Sequence, residues 1–130
     1  MHQNKFPERL YNYLTENTLI EIKGGTTREN YLKIWMVEVD KRLFARSWQK
    51  SEKSWFTEFQ KTGIGEIKYG HEVIKVKGEK VDASNTINKD ISQAYLDKYD
   101  QPENLIYSEG IAQPEYYDYT MEFTMIDKIK

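Results

Sequence analysis

Cysteine is absent from the 130 residues, so no disulfide framework and no thiol nucleophile can form. Histidine is almost absent too. His2 and His71 are too few for a His-rich metal site, and the carboxylates show no calcium-loop spacing, so no metal is expected. No apolar run approaches the ~20 residues that cross a bilayer, and the opening "MHQNKFPERL" lacks the apolar stretch of a secretory signal. No membrane partner is therefore expected, and the expected location is cytoplasmic. A charge excess of either sign is also missing. Nineteen basic and 21 acidic residues give a net charge of -2, and the lysines are spread among glutamates with no basic stripe, which argues against a nucleic-acid partner. The length suits a single domain, residues 1–130, with one real core.

What the chain has in excess is aromatic surface, 14% of its residues, with ten tyrosines. Tyrosine carries a large apolar body and a hydroxyl that needs a partner, which suits ligand clefts and interfaces as well as a thin-cored small domain. Along the chain, Pro7 fits the first turn of a helix on which Phe6, Leu10, Tyr13 and Leu14 recur at helical spacing. In "TLIEIKGG", Ile20 and Ile22 alternate with Glu21 and Lys23, predicting a half-buried strand that ends at Gly24-Gly25. "YLKIWMVEV" contains consecutive apolar residues from Ile34 to Val37 and predicts the strongest strand, covered on both faces. "DKR" turns the chain into a returning strand, "LFARS", with Leu43 and Ala45 on one face and Phe44 and Arg46 on the other.

The loop "WQKSEK" leads to a helix carrying Trp55, Phe56 and Phe59 on one face, capped by Ser51 or Ser54 and stopped by Gly63. "IGEIKY" and "HEVIKVK" form a hairpin around Tyr69-Gly70. "TINKDISQAYLDKYD" is the longest helical pattern, closed by Pro102, and "ENLIYSEGIAQPEY" is a looser stretch that crosses back. "DYTMEFTMI" alternates as an antiparallel strand. About six strands and three helices result. Short turns argue for antiparallel pairing, and short antiparallel strands hide their edges by closing. The expected fold is therefore mainly β with flanking helices (α+β), a small split antiparallel β-barrel, with a flat sheet packed on one face by helices as the alternative.

The order of these motifs resembles a known superfamily. Residues 19–76 run through a strand into a Gly-rich turn, "IWMVEV", the return "LFARS", a loop, a helix with Trp55, and a hairpin. This resembles the split β-barrel superfamily that includes FMN-binding oxidases and deazaflavin-dependent nitroreductases. "LFARSW" with "INKDISQAYLDKY" resembles, more specifically, the bacterial family catalogued as domain of unknown function 2255, for which no activity is implied. Where the deazaflavin enzymes usually carry a Gly-Arg-x-[Ser/Thr]-Gly turn, this chain has "KGGTTREN".

The resemblance implies FMN or deazaflavin as cofactor, and residues 43–56, "LFARSWQKSEKSWF", hold groups suited to one. A flavin needs cationic and N–H or O–H donors for its phosphate and an apolar wall for its ring. Arg46 would fork onto phosphate and Ser47 would donate a hydroxyl, with Lys53 and the N-terminus of the Ser54 helix beside them. Trp48 or Trp55 would cover the ring, and Arg28 and Lys33 would complete a basic rim. Each residue also has a plainer role: Arg46 paired with a carboxylate on a wet strand face, Trp55 in the core, the lysines in solvent, His71 in a polar turn. Two functions stand side by side. One is a flavin- or deazaflavin-dependent oxidoreductase, expected as a homodimer. The other is a non-catalytic ligand-binding or interaction protein that uses the same barrel with no cofactor.

Overall fold

The computed structural model describes residues 6–27, 29–48 and 54–126. Helix α1 (Glu8–Glu16) is followed by β1 (Ile20–Gly24), β2 (Leu32–Ile34), β3 (Val37–Val39) and β4 (Arg42–Arg46). Next come α2 (Trp55–Thr62), the hairpin β5 (Ile64–Tyr69) and β6 (Glu72–Lys80), and helices α3 (Ile87–Lys98) and α4 (Leu105–Ile111). A 3-10 turn (Pro114–Tyr119) leads into β7 (Thr120–Met125). The strands form one sheet in the order β2-β1-β5-β6-β7-β4-β3, and each neighbouring pair is antiparallel. The result is an antiparallel half-barrel with flanking helices, the expected split-barrel class. Among the described residues it has seven strands and four α-helices where the pattern predicts about six and three.

The extra strand comes from a break. "YLKIWMVEV" is not one strand: it divides at Trp35-Met36 into β2 and β3, which lie at opposite edges of the sheet. The chain thus crosses from one edge to the other within two residues. Met36 is fully buried, and its backbone groups cannot go unpaired there. Helix α3 supplies the partners. The Tyr99 hydroxyl accepts from Met36 N–H (3.1 Å) and donates to Thr18 C=O (2.7 Å), while Lys98 Nζ donates to Met36 C=O (2.8 Å). The Trp35 indole stacks on the Tyr99 ring, with centroids 3.9 Å apart and planes 7° from parallel.

Local chemistry explains the other junctions. Asp40 and Lys41 both take positive φ (53° and 68°) in the two-residue turn between β3 and β4. That conformation is costly for lysine. It is held by Lys41 N–H on Glu38 Oε2 (2.7 Å) and by the Tyr11 hydroxyl on Lys41 C=O (2.8 Å). Ser54 caps α2 by accepting from Thr57 N–H, and Gly63, in the left-handed region, ends it. The Phe59 ring lies so close to Gly65 and Gly78 that a Cβ at either would sit 2.4 Å from it.

Two apolar layers follow from the strand pattern. Leu43 and Ala45 join Leu10, Ile22, Trp55, Phe59, Met121 and Phe123 in the inner core, under α1 and α2. Phe44 points the other way and joins Val37, Ile91, Tyr95, Tyr99 and Ile111 in an outer core under α3. The stretch predicted as loose holds α4 and the 3-10 turn. The residues α4 buries are Ser108 and Ile111, whereas Leu105, Ile106 and Tyr107 are exposed, so its apolar pattern does not follow its buried face.

Candidate functional site

One cleft, of about 420 Å³, gathers most of the residues that the sequence singles out. Its exposed rim is formed by Leu19, Leu32, Lys33, Trp48 and Tyr107, and its buried floor by Arg46, Ser47, Ser54, Trp55 and Ile111. Ile34 and Trp35 lie between, half-buried. Lys33, Arg46, Ser47, Trp48 and Trp55 are therefore brought to one place. Arg28, Lys53 and the rest of the loop 49–53 lie outside the described residues.

Arg46 does not lie on a wet face beside a carboxylate. It is 2% exposed, and among the described residues no acidic group lies within ion-pair distance. Its three nitrogens make as many hydrogen bonds as a guanidinium has N–H donors. Nε donates to Thr120 Oγ1 (2.8 Å), Nη1 to Ser92 Oγ (2.7 Å) and Ile111 C=O (3.0 Å), and Nη2 to Asn88 C=O (3.0 Å) and Oδ1 (3.3 Å). The Tyr95 and Tyr117 rings flank it at 5.9 and 5.1 Å. Burial lowers its pKa, with Tyr95 and Tyr117 acting the other way, and a guanidinium in such surroundings stays charged. A fork onto phosphate would have to displace these bonds, since its donors are already committed to neutral oxygens. What reaches the cleft is the field of a cation with no counter-ion.

The aromatic walls differ in kind. Trp55 is core, packed against Phe56, Phe59 and Phe123, and only borders the cleft. Trp48 is 43% exposed and meets Tyr107 and Tyr116 edge-on, at 6.3 and 5.3 Å. Gly110 lies under it, where an added Cβ would come within 3.2 Å of the indole. Trp48 and Tyr107 therefore present ring surface at the mouth. Lys33, exposed on β2 and opposite Glu21 in register, is the cation at the rim.

Sequence reasoning missed Trp35 and Tyr107. Trp35 was hidden in an apparent continuous strand, and Tyr107 in an apparent loop. Tyr95 and Tyr99, one helical turn apart, are both fully buried and accept backbone N–H groups from Arg46 (2.8 Å) and Met36 (3.1 Å). Burial raises both hydroxyls, Tyr95 to about 12. His71 sits exposed in the β5–β6 turn, away from the residues that line the cleft.

Comparison with known proteins agrees with this architecture. Among solved structures, HutZ, the heme storage protein from Vibrio cholerae, matches with a TM-score of 0.64 over 97% of this chain and 92% of that one, at 8% identity. A likeness at that identity shows the fold, a split barrel. No curated protein matches the sequence. A family model described as an uncharacterized protein conserved in bacteria, DUF2255, matches residues 15–123, so the chain belongs to the DUF2255 family.

Proposed function

We propose that the cleft binds a small, planar, largely apolar molecule that carries negative charge, with FMN or a deazaflavin as the specific reading. One observation carries this. Of eight large apolar residues exposed among the described ones, four (Leu19, Leu32, Trp48 and Tyr107) line this single cleft, over a floor that holds a guanidinium with no counter-ion. Apolar side chains scattered singly on a surface need no explanation, but a concave cluster rimming a polar point is the usual form of a ligand site. The ring surfaces of Trp48 and Tyr107 suit a flat ligand. Lys33 at the rim remains to meet its polar tail. When bound, a flavin would supply the electron or hydride chemistry, and the protein's part would be to orient the ring and exclude water.

A heme, the ligand in HutZ's name, suits the residues less well. The lining offers no histidine, cysteine or methionine, and Tyr107 is its one phenol. The non-catalytic reading is favoured by the committed donors of Arg46 and by the absence of the Gly-Arg-x-[Ser/Thr]-Gly turn. Adding FMN, riboflavin or a deazaflavin to purified protein separates the two. Quenched flavin fluorescence that Trp48→Ala weakens about tenfold supports flavin binding, that loss being the worth of one stacked ring. No quenching with any of the three removes the flavin and leaves the binding protein. Leu105 and Ile106 extend the apolar rim along α4, which favours a second copy covering it. Light scattering should give a dimer mass that Ile106→Glu halves.

A further inference from the structure

A second cleft, about 560 Å³, opens among residues of α1, β3 and α3. Trp35 borders the aromatic cleft and Val37 this one, so the two lie on either side of the chain crossing at Met36. Its lining is polar, with Glu8, Glu38, Asp97, Lys41, Tyr11 and Lys98 as the titratable groups. Lys98 differs from the chain's surface lysines. It is half-buried, its Nζ donates to Met36 C=O at 2.8 Å, and the Tyr99 ring lies 5.2 Å away. Among the described residues no carboxylate lies within ion-pair distance of it, although three line the same cleft.

An ammonium removed from water without an anion beside it sheds its proton more readily, and a neutral lysine is a nucleophile. One N–H of the neutral amine still serves Met36 C=O, which leaves the lone pair free. We propose that Lys98 is a carbonyl-reactive lysine that condenses with small uncharged aldehydes entering the second cleft. The amine, having lost its proton to solvent, attacks the carbonyl carbon. A C–N bond forms, and the C=O π pair moves to oxygen, which takes up a proton. Loss of water then gives the imine. Three carboxylates against two lysines disfavour anionic keto acids, so the aldehyde is uncharged. Burial also holds the Lys98 pKa down at about 8, which agrees with this geometry.

The test is brief treatment of the native protein with acetaldehyde and cyanoborohydride at neutral pH, followed by peptide mass mapping. The expected result is that Lys98 is alkylated at least about tenfold faster than Lys41 or Lys61, since ordinary lysines titrate near 10.4. The preference should shrink at a pH above that value and vanish in urea. Lys98→Arg, which keeps the charge and the bond to Met36, should remove the fast site and leave the helical circular dichroism unchanged. Equal labelling of Lys98 and Lys41 in the native state overturns the proposal. So does a preference that survives unfolding, because the cleft then plays no part in it.

Discussion

Arg46, bonded from β4 to the N-terminal half of α3, and Lys98, at the C-terminal end of that helix, are two cations with no carboxylate at ion-pair distance among the described residues. They are treated in opposite ways. Around Arg46, α3, α4 and β7 contribute five oxygen contacts, all from neutral groups. Around Lys98, one backbone carbonyl accepts at short range. Spreading the guanidinium charge over a full set of acceptors keeps it ionised and makes it a structural tie between elements. The under-solvated ammonium has a proton that it can lose. The lesson is that burial alone does not decide whether a cation is structure or chemistry; the intrinsic basicity of the group and its set of acceptors do.

The largest way to break this comparison is at Arg46. Arg46→Met strands acceptors from three elements and should cost ~3 kcal/mol or more of unfolding free energy. Arg46→Lys should recover only part, and urea denaturation reads both. A loss at Arg46 no greater than that of Lys98→Met would defeat the distinction. Next come the tyrosines. Tyr99→Phe and Tyr95→Phe should each cost roughly 1–3 kcal/mol by leaving buried backbone groups unpaired, with Tyr99 the larger because its hydroxyl serves Met36 and Thr18 together.

A smaller effect lies in pH. Lys98 has a folded pKa of about 8 against about 10.4 in the unfolded chain. Between these values the unfolded state binds the extra proton, so stability should rise with pH there, by an amount on the order of 1 kcal/mol. The rise should be absent in Lys98→Met. Tyr95 and Tyr99 act in the opposite sense. Their raised pKa values contribute stability that is present below about pH 10 and lost above it. Thermal melts across pH 7–11 should therefore peak near the upper end and then fall. The smallest effect is at Lys33. Lys33→Gln should change stability by less than ~0.5 kcal/mol yet weaken binding of FMN more than of riboflavin, and mainly at low salt.

Much of the fold was legible because its signals are local. Alternation marked β1 and β7, and Ser54 and Gly63 bounded α2 by capping chemistry that acts within four residues. Phe44 and Arg46 were correctly separated from Leu43 and Ala45. What could not be read depends on partners far along the chain. Arg46 looked like a strand charge because Asn88, Ser92, Ile111 and Thr120, which bind it, lie 42 to 74 residues away. The break at Trp35-Met36 was invisible for the same reason: an apolar run predicts a strand until side chains 62 or 63 residues later supply the missing backbone partners. For the candidate site, the cluster in residues 43–56 was found, while the walls from Trp35 and Tyr107 were lost with those two assignments.

The position of β7 has a consequence for how the molecule comes into being. Among the described residues it is the last strand in chain order, yet it sits between β6 and β4 and bonds to both. During synthesis the β3–β4 hairpin therefore leaves the ribosome early and waits, with one edge bare, until residues 120–125 emerge. Closing a loop that long is slow, and a waiting edge is open to other chains. The pairings among β1, β2, β5 and β6 lie within residues 20–80 and do not wait, so what the late strand joins is a sheet already begun and a hairpin still open on one side.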